Sequence, residues 1–342
     1  MTVYRIYIYD NIQLNDVLKE LYGIIESHNL QHISVKKSYY HGFHLAVRDN
    51  RHYKTLSDFC SRVNILDTTN INYERIKKQI KMISQTEESP HSNFPLKKNG
   101  TIVVTEDNFL SPGRQVLSAQ DVEKIEELET IFLSKIYSRW VDLTVAQQNI
   151  RLRNLWIYFA SMHRLGVTSG YLAFKSNIEY FKEEIKDLSE PKRNYILNKI
   201  QETEEESALN NTSISEILTN KDFFKDEGIK FIEKVTYLVK KAIQKKSVNL
   251  TAMYYPDDFF DRHEHWSNFH DKFYHEVKFV KNYHSDTFVA YRLIIGILYS
   301  ILPELNVSNL RKEKISGLVA NKVETEKETN WKEVFSNAAD LS

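Results

Sequence analysis

Cysteine occurs once, at Cys60, so no disulfide can form within the chain and a disulfide-built fold is excluded. That usage fits a reducing, cytoplasmic setting. Glycine is also scarce, at nine in 342 residues. Neither GxGxxG nor GxxxxGK[ST] occurs, which removes both common phosphate-cradling loops. Charge has no surplus of either sign, because Lys+Arg and Asp+Glu both number 46. A balanced chain lacks the bulk cationic excess that counterion release on nucleic acid would exploit. Long apolar runs are missing too. The most apolar stretch, Leu293 to Leu302, is too short to span a bilayer, and the opening MTVYRIYIYD alternates where a signal peptide would be uniformly apolar. Neither a membrane nor nucleic acid is expected as a partner.

What is present is ordinary globular material: 42% apolar and 27% charged residues, with 20 tyrosines. The length allows one large domain or two packed ones. Val3 to Tyr9 alternates as a half-buried strand does. Asn15 offers an N-cap to a helix bearing Val17, Leu18, Leu21, Ile24 and Ile25 on one face. Ile33 to Tyr39 and Phe43 to Val47 flank His41-Gly42 as a hairpin does. Helices follow at Tyr53 to Val63 and Tyr73 to Met82, then a polar loop from Gln85 to Asn99 and a short strand from Thr101 to Thr105. Asn108 to Gly113 contains a second break.

From Ser118 onward the pattern is helical. Ser118-x-x-Asp121 has capping-box geometry ahead of a helix reaching Tyr137 or Trp140. Asn149 to Leu165 is a second helix with Gly166 as its stop, and Ile229 to Lys245 and Thr287 to Leu302 are others. Glu202 to Ser215 is acidic and polar and reads as a loop. The fold class is therefore α+β: an N-terminal ferredoxin-like antiparallel sheet layer (1–117) packed on a larger, mostly helical part (118–342) carrying the site.

Three stretches carry a family resemblance. SYYHGFHLAVR, ending at Arg48, sits where the family has an aromatic-rich strand and then HLRLR. Ser169-Gly170-Tyr171-Leu172-Ala173-Phe174-Lys175-Ser176-Asn177 is similar to the family's glycine followed by S-[YF]-R-S-H. HSDTFVAYRL, from His284 to Leu293, resembles a helix entered with histidines and then N-R-L. In order and spacing the chain resembles the lantibiotic-dehydratase C-terminal and thiopeptide-type bacteriocin biosynthesis family.

The resemblance implies a cytoplasmic, cofactor-independent enzyme acting on a ribosomally made precursor peptide, its leader joined to a dehydrated, azole-containing core, beside other enzymes of the pathway. Two chemistries occur in the family. One eliminates glutamate from glutamylated Ser or Thr, with arginines for the leaving glutamate and a histidine for protons. The other, pyridine synthesis, joins two dehydroalanines by a formal [4+2] aza-cycloaddition, closing the macrocycle with loss of water and leader. Ala46, Lys175, Asn177, Thr287 and Val289 stand where elimination members keep arginine or histidine, and the RYGG-like turn is reduced to Ser111-Pro112-Gly113-Arg114. Lysine does not replace a bidentate arginine, and Asn, Thr and Val do not titrate near neutrality. The departures favour pyridine synthesis. A glutamate-elimination subunit of a split dehydratase and a non-catalytic leader-binding subunit stay as alternatives.

Pyridine synthases have a Ser and a Tyr placed like Ser285 and Tyr291, so the resemblance implies Tyr291 as proton donor and acceptor with Ser285 as its partner. Ser285 equally suits the N-cap of its helix, and Tyr291 a core aromatic. Lys175, Asn177, Tyr171, His284, Arg48 and Trp266 are the expected substrate contacts. Family leaders are commonly acidic, which nominates Lys36, Lys37, Lys77 and Lys78 for the leader. His263, His265, His270, His275 and His284 form a histidine-rich stretch, but without a cysteine or a second regular pair they do not spell a metal site, and no metal is expected.

Overall fold

Alternating β-formers at the N-terminus build β1 (Thr2–Tyr7), which becomes one of the two inner strands of a four-stranded sheet of order β2-β3-β1-β4. β2 (Ile33–Ser38), β3 (His44–Asp49) and β4 (Ile102–Thr105) complete it, and every pairing is antiparallel. The order is the ferredoxin-like one. The computed structural model describes residues 1–39, 41–63, 71–86, 95–106, 116–249, 267–275 and 285–340. It divides into two compact units, Met1–Arg114 with Ser118–Asp142, and Gln115–Leu117 with Leu143–Ser342. The α+β class is as expected. The helix Ala119–Trp140 packs on the sheet and groups with the first unit.

In the first unit, α1 spans Asn11–Ser27, α2 Lys54–Arg62, α3 Tyr73–Thr86 and α4 Ala119–Trp140. α1 starts four residues before the expected cap. Asp10 accepts from the amides of Ile12 and Gln13, both at 2.9 Å, which leaves Asn15 inside the helix, accepting from the Tyr137 hydroxyl at 3.3 Å. The hairpin turn does fall at His41 and Gly42, whose φ angles of 59° and 127° lie in the left-handed region. A Cβ at Gly42 would collide with the Tyr9 hydroxyl. Asp49, fully buried, accepts from the amides of Arg51, His52 and Tyr53 at 2.9, 2.8 and 2.7 Å and so aims the chain into α2.

β1 and β3 are buried almost along their whole length, where alternation had suggested one wet face. Register explains part of this. Ser34, Lys36, Ala46 and Arg48 share one face, and three of them reach glutamates of α4. Arg48 pairs with Glu126 at 3.1 Å, Ser34 donates to the same carboxylate at 3.4 Å, and Lys36 pairs with Glu129. Thr130 accepts the Val35 amide at 2.9 Å, closing that stretch of the β2 edge.

The second unit is built on α5 (Val145–Ser161), which presents Leu152, Leu155, Trp156 and Phe159 to its core. Around it run α6 (Val167–Gly170), α7 (Leu172–Glu184), α8 (Glu190–Ile200), α9 (Glu204–Leu209), α10 (Ile214–Thr219) and α11 (Phe223–Gln244). α12 (Asn268–His275), α13 (Asp286–Ser300), α14 (Asn309–Glu326) and α15 (Trp331–Asp340) follow. α14 packs on α5, α7 and α8, and α11 packs on α5 and α13.

Helix boundaries differ from the sequence expectation wherever a cap was overlooked. Thr144 and Gln147 form a capping box, so α5 begins at 145 and ends at 161, and Gly166 (φ 77°) instead precedes α6. Asp222 caps α11 seven residues before the expected start at 229, accepting the Lys225 amide at 3.0 Å. The stretch 202–215 is not one loop. Thr203/Glu206 and Ser213/Glu216 are capping boxes that start α9 and α10. Residues 87–94 and 107–115, including most of the expected loop and the Ser111–Arg114 turn, lie outside the described residues. Among the described residues no helix is long and apolar enough to cross a membrane.

The Arg48–Glu126 pair, with side chains 7% and 0% exposed, sets a stability test. Glu126→Ala removes the buried carboxylate from a buried guanidinium and is expected to cost about 3 kcal/mol. Urea unfolding, followed by a probe in the first unit, measures it. Glu127→Ala, on the half-exposed His32 pair of the same helix, should cost far less.

Candidate functional site

Three consecutive residues of α7 point in three directions, because a helix turns about 100° per residue. Lys175 reaches Glu324 of α14 at 3.2 Å and Glu179 at 3.6 Å. Tyr171 is fully buried and donates to the same Glu324 at 3.2 Å. Burial, and then the Glu324 charge, push its phenol above the usual tyrosine range. Asn177 donates to Glu313 and to the Ser316 hydroxyl at 3.3 Å, both on α14. Burial raises the Glu313 carboxyl above its ordinary value. Ser176, between them, meets Nε2 of His270 on α12 at 2.9 Å.

His270 is 3% exposed, and its other ring nitrogen, Nδ1, lies 2.7 Å from the Ser267 hydroxyl. Burial lowers its pKa to about 4, against a smaller upward pull from Glu179. The imidazole is therefore neutral at pH 7 and held by a hydroxyl at each nitrogen. Tyr180, one turn beyond Ser176, meets its ring edge-on with centroids 6.0 Å apart.

On α13, Ser285 is the N-cap and accepts the Phe288 amide at 3.3 Å. Tyr291 donates to the Gly170 carbonyl at 2.8 Å, stacks on Phe159 at 4.6 Å and meets His163 edge-on at 5.1 Å. Burial pushes its phenol well above the usual range. The Tyr291 proton is thus engaged with the backbone, and its oxygen keeps lone pairs that can accept. Gly170 is placed by a close crossing, because a Cβ there would overlap the Ala160 carbonyl of α5.

The structure therefore gathers Tyr171 and Lys175 on Glu324, sets Asn177 on Glu313, and hangs Tyr291 from the residue before Tyr171. Ser285 stands at the head of the Tyr291 helix. Arg48, Lys36, Lys37, Lys77 and Lys78 belong to the first unit. There Arg48 faces Glu126, Lys36 is tied inward to Glu129, and Lys77 and Lys78 are exposed on α3, Lys77 with Glu74 at 2.8 Å. Lys36 and Lys37 point to opposite faces of the sheet, so the four lysines do not make one patch. Trp266, His284, His263 and His265 lie outside the described residues, and of His275 only the backbone is described. Among the described residues no group of three or more His, Cys, Asp or Glu is arranged to hold a metal. Sequence reasoning missed Glu324, Glu313 and Ser267. Only Ser267 left a signal, as a helix-capping serine three residues before His270.

No family model and no curated protein matches the chain. Solved structures do. The pyridine synthase TbtD from thiomuracin biosynthesis aligns with a TM-score of 0.60 at 10% identity, over 95% of this chain and 97% of that one. The chain has the fold of a pyridine synthase. TsrL aligns with a TM-score of 0.56 at 12% identity, over 98% of this chain and 97% of that one. At such identities the pyridine-synthase likeness is one of fold, and it runs through both units.

Two outcomes are expected. His44, in the first unit, is also buried, donates from Nδ1 to the Gly42 carbonyl at 2.9 Å, and is lowered by burial to about 4. A histidine whose folded pKa lies below its unfolded value near 6.5 lets the unfolded chain bind more protons between the two. Stability from both residues is full above about pH 6.5 and is lost as the pH falls toward 4. Thermal melts across that window should show the fall, and His270→Gln should lessen it for the second unit, where burial lowers His163 as well. Gly170→Ala must displace α5 from α6, and a loss of about 2 kcal/mol is expected in urea unfolding.

Proposed function

We propose that this chain is a thiopeptide pyridine synthase, which joins two dehydroalanines of a leader-bearing precursor peptide by formal [4+2] aza-cycloaddition and releases water and leader. The observation carrying the proposal is the fold likeness to TbtD over nearly the full length of both chains. The pattern of altered motif positions supports it. Lys175 and Asn177, which replace elimination-type residues, are faced by Glu324 and Glu313. Resident carboxylates there oppose the binding of a second carboxylate, so a departing glutamate is disfavoured while a neutral peptide is not. Val289, at another altered position, is buried and apolar.

Pyridine synthesis asks for positioning of two alkenes, from which effective molarity can draw much of the barrier reduction, and for an amide to reach its imidic tautomer. Tyr291, with its proton committed to the Gly170 carbonyl, is suited to accept, and Ser285, whose oxygen takes the Phe288 amide, keeps a hydroxyl proton to donate. The substrate is the precursor peptide, with its leader bound apart from its dehydrated core, and no cofactor is required by this chemistry.

The test is incubation with a leader-bearing peptide containing two dehydroalanines between thiazoles. Leader release and a new pyridine absorbance are expected, with Tyr291→Phe lowering kcat roughly 100-fold. Consumption of a glutamylated peptide instead would move the assignment to elimination. Tight leader binding with no turnover of either peptide would leave a binding subunit.

A further inference from the structure

Serines inside helices usually return their hydroxyl proton to a carbonyl three or four residues back. Ser134 donates to Ile131 at 2.9 Å, Ser161 to Tyr158 at 2.6 Å, Ser300 to Ile297 at 2.8 Å and Ser336 to Lys332 at 3.0 Å. Ser176, in the middle of α7, does not. Its oxygen meets His270 Nε2 at 2.9 Å, and the residue is partly exposed.

Each ring nitrogen of His270 faces a serine hydroxyl. Ser267 Oγ accepts the His270 backbone amide at 3.3 Å and lies 2.7 Å from Nδ1, to which its O–H can donate. A neutral imidazole carries one N–H, and with Nδ1 accepting, that N–H is on Nε2. In that tautomer Nε2–H donates to Ser176 Oγ, 2.9 Å away, and the Ser176 proton points away from the imidazole. Burial keeps the ring neutral at working pH, so the arrangement holds without a competing charged form. Ser267 and His270 are 7% and 3% exposed, which leaves Ser176 as the outer end of the chain of hydroxyls.

We propose that Ser176 is a further catalytic residue, a hydrogen-bond donor to a carbonyl oxygen of the bound peptide, kept in the donating state by the Ser267–His270 pair. An uncharged donor of this kind matches a neutral amide carbonyl and not a carboxylate-seeking site. Polarising that carbonyl favours the imidic tautomer, with the amide nitrogen losing a proton as the oxygen gains one, so Ser176 undergoes no net change. His270 and Ser267 act through it as positioning residues. The proposal rests on the pyridine-synthase reading.

The test uses the full chain and the dehydroalanine peptide described above. Ser176→Ala is expected to lower kcat roughly 100-fold with little change in KM, and Ser176→Thr, which keeps the hydroxyl, should retain most of the rate. In the resting protein, nitrogen-15 NMR should find His270 as the Nε2–H tautomer, and Ser267→Ala should disturb that tautomer and lower kcat. An Nδ1–H tautomer would overturn the donor assignment with no peptide present. Unchanged turnover in Ser176→Ala, beside a crippled Tyr291→Phe, would overturn the role of Ser176 alone. A wild-type chain inert on the peptide would overturn the synthase reading and, with it, the catalytic part of this proposal.

Discussion

Buried carboxylates tied to cations of a neighbouring element set the geometry of both units. In the first, Glu126 and Glu129 of α4 take Arg48 and Lys36 from the sheet face. In the second, Glu206 of α9 takes Lys314 of α14 at 2.6 Å and Asn149 of α5 at 2.6 Å, while Glu324 takes Lys175 and Tyr171. Such pairs add little net stability compared with apolar packing, because desolvation offsets attraction, but losing one partner is costly. Their value is directional. An apolar helix face tolerates sliding, whereas a carboxylate with two or three fixed donors does not. α14 is held in this way against both α5 and α7, so the side chains of α7 are aimed by contacts made outside the site.

Lys175 and Asn177, isolated in sequence, suggested ligands for a peptide. In the structure each has a glutamate partner on α14. The group between them, Ser176, faces α12 and has a histidine at its back.

The sheet, its hairpin and its order were legible because period-two alternation and the His41-Gly42 turn are local signals. The burial of β1 and β3 was not, since it depends on what covers the second face, including polar residues such as Arg48 whose partners lie far along the chain. Helix starts were misplaced where a capping residue precedes the apolar stripe by a turn or more, as at Asp10, Thr144 and Asp222. Short helices with strong caps and little apolar periodicity, α9 and α10, resembled loop. At the site, Tyr291, Lys175 and Asn177 came from motif resemblance. In the sequence His270 is only one of a run of histidines, because its pairing with Ser176 spans 94 residues and leaves no spacing to read.

The anchor of Tyr291 is a main-chain oxygen, and the close crossing that presents it needs only the absence of a side chain at position 170. Neighbouring side chains can therefore drift in identity without moving the acceptor. A phenol fixed in this way depends on the backbone at one helix crossing and not on the identity of the side chains around it.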